Sequence, residues 1–240
     1  MRNLLDIIIA ATQKPEVEKV VAHLHSISSE IGSIIIIDFD ERKPSLPHEK
    51  IHKLKAKIKG FKYIFVEGQQ YFNKSVALNI GASYSSSEII LFCDADILLE
   101  REFLKNGIEI LSQDEKKFIT PEFVTESDTG ENRLAPGICM LYKNNYMLIN
   151  GYSNEYKGWG MEDMDFIERL KKSGMKRVLS SSGIHMSHPD EARTQNYHSN
   201  SVDEMRRQNR ALFQKKIEEN NLNGTMDIDI INTNHKEYIN

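Results

Sequence analysis

The chain has 240 residues, 40% of them hydrophobic and 28% charged, with a formal net charge of −4. This is ordinary globular composition, enough for one sizeable domain, and the negative balance excludes a global electrostatic case for nucleic acid. Cys93 and Cys139 are too few for a disulfide framework and neither lies in a Cys-x-x-Cys, which predicts free, buried thiols in a reducing compartment.

The N-terminal run LLDIIIA (4–10) is interrupted by Asp6 and is too short for a signal-peptide core or a membrane span. A soluble, cytoplasmic protein is expected, with peripheral contact at the inner face of a membrane left open. The same run reads as the first buried strand, followed by a helix over 15–27 with Pro15 near its start. GSIIIID (32–38) is a second strand. The basic stretch 48–62 is read as the solvated face of a helix over 48–58, with Ile51, Leu54 and Ile58 on its apolar side. KYIFVE (62–67) and EIILFCD (88–94) are further strands, and between them 73–85 is a small-residue helix expected to pack closely on the sheet. This alternation predicts an α/β fold with a mostly parallel central sheet and helices on both faces. Ligands of such sheets bind beyond the carboxyl ends of the strands. That draws attention to Ala11 and Thr12, Asp38 to Asp40, Glu67, and Asp94 to Asp96.

The second half is less regular. Residues 125–137 read as a polar loop, 138–143 as a strand and 161–174 as a helix closed by Gly174. A charged amphipathic helix follows over 201–219 and then a polar tail. With no repeat and no linker, residues 1–200 are read as one catalytic domain, and 201–240 as its C-terminal helix and tail. Val202, Met205, Leu212 and Phe213 are expected to dock that helix on its own domain.

Asp94 and Asp96 directly follow a buried strand. Two carboxylates there repel unless a cation intervenes, and oxygen ligands favour Mg²⁺ or Mn²⁺. A plain acidic turn is the alternative. Immediately upstream, FNKSVALNIGASYSSSEIILFCDADILL (72–99) resembles metal-dependent glycosyltransferases of the GT-A fold. The resemblance is to the beta-1,4-galactosyltransferase and chondroitin-polymerase-like group, where Phe-Asn-Arg, Leu-Asn-x-Gly, an apolar strand and Asp-x-Asp follow one another. Phe72, Asn73, Lys74, Leu78, Asn79, Gly81, Asp94 and Asp96 fall on that pattern, with Lys74 where Arg is usual. The same group carries Gly-Trp-Gly-Gly-Glu-Asp, which GWGMED (158–163) matches except at Met161.

The resemblance implies a GT-A domain over about 4–190, acting as an inverting transferase for a UDP-sugar, with galactose or N-acetylgalactosamine favoured. It places Asp163 as catalytic base and Glu162 beside it on the sugar hydroxyls, with Trp159 over the sugars and Gly160 in a loop that closes on the donor. Phe72, Asn73, Lys74, Asn79 and Asp94 are expected around the donor, and Ala11, Thr12 and Asp38 or Asp40 around the uridine. The ion, Mn²⁺ with Mg²⁺ as second choice, is expected on Asp96 and His188, with His185 in reserve. Asp165 is read as helix stabilisation rather than chemistry. The implied acceptor is a saccharide or lipid-linked oligosaccharide in bacterial surface polysaccharide synthesis. A sugar nucleotidyltransferase is one rival, though 11–19 lacks the glycine-rich basic loop. A non-catalytic sugar-binding or scaffolding protein on the same fold is another.

Overall fold

The computed structural model describes residues 4–40, 44–188, 197–199 and 201–238. In the first half, β1 (Leu5–Ala11), α1 (Val17–Ile27), β2 (Ile31–Asp40), α2 (His48–Lys57), β3 (Phe61–Glu67), α3 (Lys74–Tyr84) and β4 (Ile89–Asp94) alternate as the hydrophobic pattern predicts. These strands run parallel in the order β4-β1-β2-β3. Their largely apolar sequences follow from burial on both faces, because successive side chains point to opposite sides. Ile7 and Ile9 pack with Val20 and Leu24 of α1, whereas Ile8 packs with Ala77, Leu78 and Ile80 of α3. Asn73 caps α3, its side chain accepting the Val76 N–H at 3.1 Å. The small residues of α3 bring it close to the sheet: a Cβ on Gly81 would lie 2.4 Å from Ile8 Cγ2.

The chain continues through β5 (Ile97–Leu99), α4 (Arg101–Gln113), β6 (Lys117–Thr120), β7 (Phe123–Glu126), β8 (Asn132–Arg133) and β9 (Cys139–Tyr142). There follow α5 (Lys143–Leu148), α6 (Glu162–Lys172), β10 (Lys176–Leu179), β11 (Ser182–His185), α7 (Val202–Glu218), α8 (Met226–Asn232) and β12 (His235–Glu237). The large sheet has the order β10-β6-β9-β4-β1-β2-β3-β12. It is parallel at its centre and mixed at its flanks, since β9 runs antiparallel to β4 and β6, and β12 antiparallel to β3.

Two expectations are corrected. Residues 125–137 are not all loop: β8 and the end of β7 lie there, in a second, smaller sheet of order β5-β11-β7-β8. Strands of two to four residues carry too little alternation to be read from sequence. The polar tail is also structured. Helix α8 buries Met226 and Asp229, and β12 covers the edge of β3, so pairing partners rather than hydrophobicity define both. Helix α7 docks on its own domain through buried Met205 against Gly158 and through Asn209, whose Nδ2 donates to the Lys157 carbonyl at 3.1 Å. Among the described residues no helix is long and apolar enough to cross a membrane.

Candidate active site

A cavity of about 560 Å³ opens where β1 and β4 end, and it is lined by Thr12, Lys74, Asp94, Asp96, Trp159 and Asp163 among others. Two polar clusters share it.

The first is acidic. Lys74, at the start of α3, reaches Asp94 Oδ1 at 2.8 Å and Asp163 Oδ2 at 3.1 Å, tying the end of β4 to the start of α6. Glu162 is buried beside them. Burial works against the Lys74 charge, but Asp163, Asp94 and Glu162 outweigh it and hold the ammonium well above its ordinary value. One ammonium does not offset three carboxylates. Burial, then the neighbouring Asp163, pushes Glu162 up to about 7. Burial raises Asp163 as well, while Lys74 draws it back down. Burial and mutual repulsion thus push both carboxyls of the pair toward the protonated form, with Lys74 opposing the shift at each. Glu162 Oε2 is buried with no hydrogen-bond partner among the described residues, and Asp163 Oδ1 is buried with only the Tyr152 hydroxyl near it, too poorly placed for a full hydrogen bond. Buried carboxylate oxygens are rarely left so unless a ligand completes them.

The second cluster lies on the small sheet. Asp96 Oδ2 is 3.1 Å from His188 Nε2 and 3.0 Å from Lys14 Nζ, and Asp96 Oδ1 is 3.6 Å from His185 Nε2. Strand pairing sets this geometry: β11 runs between β5, just after Asp96, and β7, which ends at Glu126. Burial alone would raise Asp96, yet the two histidines and Lys14 hold it well below the carboxylate range. Ligand atoms of Asp96, His185 and His188 lie within 4.8 Å of one another. One carboxylate and two imidazoles, crowded at one end of the cavity, fit a divalent ion of borderline character, better Mn²⁺ than Mg²⁺. Both histidines are brought to Asp96, the reserve as well as the first choice.

The two aspartates of the Asp-x-Asp sequence therefore part company. Residues 95 and 96 form a turn rather than a continued strand, so Asp94 faces Lys74 while Asp96 faces the histidines. Thr12, Phe72, Trp159 and Gly160 line the cavity as expected. Four residues expected around the ligand do not line the cavity. Asp38 is fully buried, and its carboxylate accepts the Ser45 N–H at 2.6 Å and the Tyr63 hydroxyl at 2.5 Å, holding the chain after β2 against β3. Asn79 is buried too: its Oδ1 takes the Tyr152 N–H and Tyr146 hydroxyl, and its Nδ2 donates to the Tyr152 carbonyl and Asp229. Asn73 spends its amide on the α3 cap and on the Asn154 carbonyl. Ala11 points into the core and Ala10 lines the cavity instead. The side chain of Asp40 lies outside what the structure describes. Asp165 is structural as expected, accepting from Arg169 Nε at 2.7 Å and the Tyr156 hydroxyl at 3.0 Å.

Several lining residues had no signal in the sequence. A Cβ on Gly137 would lie 2.5 Å from Lys74 Nζ and 2.9 Å from Asp163 Oδ2, so a larger residue there would displace the side chains of the acidic cluster. The neighbouring Pro136 was its only sequence signal. Arg206 and Arg210 reach the cavity from α7, and the Arg206 guanidinium lies 4.0 Å over the Trp159 ring. Trp159 is half-buried there, not a core residue. Met161 adopts φ +75 at the cap of α6, a conformation that favours the glycine which the resembling motif has at this place.

Residues 125–199 match a family model described as the N-terminal domain of galactosyltransferase. The chain is 29% identical to human beta-1,4-galactosyltransferase 7 over 163 residues, 62% of this chain and 46% of that protein. It is 24% identical to chondroitin sulfate synthase 3 of Mus musculus over 180 residues, 65% of this chain and 20% of that protein. The chain thus spans less than half the length of these curated relatives. Among solved structures, GalNAc-T7 with UDP, GalNAc and Mn²⁺ matches with a TM-score of 0.66 at 13% identity, covering 82% of this chain and 45% of that one. The catalytic domain of Drosophila beta-1,4-galactosyltransferase 7 with xylobiose matches with a TM-score of 0.56 at 15% identity, covering 88% and 79%. The chain has the GT-A fold of these glycosyltransferases, and in sequence it resembles beta-1,4-galactosyltransferase 7 and the chondroitin sulfate synthases.

Proposed function

We propose that this chain is a metal-dependent, inverting glycosyltransferase that moves galactose or N-acetylgalactosamine from a UDP-sugar to a saccharide acceptor. The observation that carries this reading is the pairing of two features in one cavity. One is the buried Asp163–Glu162 carboxylates with unmet oxygens, and the other is the Asp96–His185–His188 cluster. Solved relatives by fold hold UDP with GalNAc and Mn²⁺, or manganese with UDP-Gal and xylobiose, which supports the donor class and the ion.

Asp96, His185 and His188 would hold a divalent ion, which would supply positive charge against a departing diphosphate. Lys14, paired with Asp96, is placed to contribute its ammonium to the same phosphates. Asp163 is fixed by Lys74 through Oδ2, which leaves Oδ1 to accept the proton of an acceptor hydroxyl. As that proton passes to Asp163, the acceptor oxygen bonds to the anomeric carbon. The bond from that carbon to the phosphate oxygen breaks, and its electron pair leaves with UDP. Glu162, buried beside Asp163, is placed to hydrogen-bond a sugar hydroxyl. Trp159 offers an apolar ring face to the sugars. We assign the protein to the cytoplasmic side of a bacterial-type membrane, extending a surface polysaccharide or lipid-linked oligosaccharide. The two free buried thiols, Cys93 and Cys139, are consistent with a reducing setting.

The test is UDP release from UDP-galactose and UDP-N-acetylgalactosamine, in Mn²⁺ or in EDTA, with NMR of the glycoside formed. Metal-dependent release from one donor with a β-linked product is expected. An α-linked product would remove the inverting mechanism. Absence of both turnover and Mn²⁺-dependent UDP binding would favour a non-catalytic sugar-binding protein.

A further inference from the structure

We propose that Glu126 is a positioning residue for the metal centre, fixing the His185 ring so that Nε2 is presented to the ion beside Asp96. The proposal rests on the divalent-metal site inferred above. The parallel register of β11 and β7 sets His185 opposite Glu126, and His185 Nδ1 lies 2.6 Å from Glu126 Oε2. A ring that donates its Nδ1–H to a carboxylate carries its lone pair on Nε2, the nitrogen that faces Asp96 Oδ1. The same carboxylate holds the rest of the ligand segment. Ser187, between the two histidines, donates its hydroxyl to Glu126 Oε2 at 2.7 Å. Ser127, next to Glu126, accepts the Ser187 N–H at 3.0 Å and donates its own N–H to the His185 carbonyl at 3.0 Å.

Glu126 also pairs with Arg133 across the β7–β8 hairpin, and a purely structural role would rest on that contact. The two contacts differ in burial: the Arg133 side chain is 37% exposed and the His185 side chain 3%. An ion pair with a partly exposed partner contributes little, whereas a carboxylate behind a ligating histidine changes metal affinity by about 10- to 100-fold.

The test is Mn²⁺ titration of the full chain in the presence of UDP. EPR gives the affinity and pulsed EPR counts the imidazole nitrogens coupled to the ion. Wild type, Glu126→Gln, Glu126→Ala and His185→Gln are compared, with Asp96→Asn locating the site and metal-free melting checking that each variant folds. Two coupled imidazoles are expected in wild type. Glu126→Ala and His185→Gln should each retain one, and Glu126→Ala should bind about 10- to 100-fold more weakly. Glu126→Gln should fall between, and it carries the test alone if the alanine variant does not fold. A glutamate variant that keeps both couplings and wild-type affinity would reduce Glu126 to a hairpin prop. A wild type with one coupled imidazole would overturn the proposal yet leave the metal site standing. No Mn²⁺ binding by wild type would overturn the metal site, and the proposal with it.

Discussion

Asp163 and Asp165 stand two residues apart at the start of one helix, and the protein treats them in opposite ways. Asp165 is fully buried with both oxygens taken, by Arg169 and by Tyr156. Asp163 shares one oxygen with Lys74 and leaves the other with no well-formed hydrogen bond among the described residues, only the Tyr152 hydroxyl nearby. The same contrast separates Asn79, whose amide is fully used, from Glu162. A buried polar group that is fully satisfied holds the fold together, whereas one kept unsatisfied costs stability and is explained by what it binds.

Substitutions at these positions break the contrast in order of size. Asp163→Asn should lower sugar transfer by about 100- to 10,000-fold while leaving the melting temperature unchanged or raised, as read by UDP release and calorimetry on one preparation. Asp165→Asn should do the reverse. Loss of the buried ion pair with Arg169 is expected to cost roughly 3 to 5 kcal/mol of stability, with the rate per folded molecule kept, measured by urea unfolding.

Glu162→Gln sharpens the contrast through pH. Because Glu162 is raised from 4.5 to about 7 on folding, the native state binds more protons than the unfolded chain between those values. Stability then falls as pH rises through that window, and the penalty is complete above it. The variant should be more stable than wild type by up to about 3 kcal/mol at pH 8 and by little near pH 4.5. A constant difference across the range would contradict the buried, proton-holding Glu162. The smallest effect is expected at Met161, which occupies a left-handed conformation. Met161→Gly should stabilise by less than about 1 kcal/mol, visible as a small rise in melting temperature.

The same contrast explains what the sequence made legible. Continuous apolar runs of four or five residues marked β1 to β4, and GWGMED and Asp-Ala-Asp marked both halves of the site, because in each case the informative residues are neighbours in the chain. The ion's ligands Asp96, His188 and His185 were placed by the resemblance, but the platform that holds them was not legible. It is a sheet of strands two to four residues long whose pairing brings Asp96, Glu126 and His185 together from distant positions. Nor does residue type tell a satisfied polar group from one waiting for a ligand: Asp38, Asn73 and Asn79 sat at expected ligand positions and proved to be internal ties. Arg206 and Arg210 reach the cavity only because α7 docks against the Gly-Trp-Gly loop, a tertiary contact with no local signature.

The most direct measurement is UDP-sugar turnover by wild type and Asp163→Asn, each with Mn²⁺ and a saccharide acceptor and each repeated in EDTA. The account predicts turnover in wild type that EDTA abolishes, together with loss of at least about 100-fold in the folded variant. Near-wild-type transfer by Asp163→Asn, or turnover indifferent to EDTA, would contradict it.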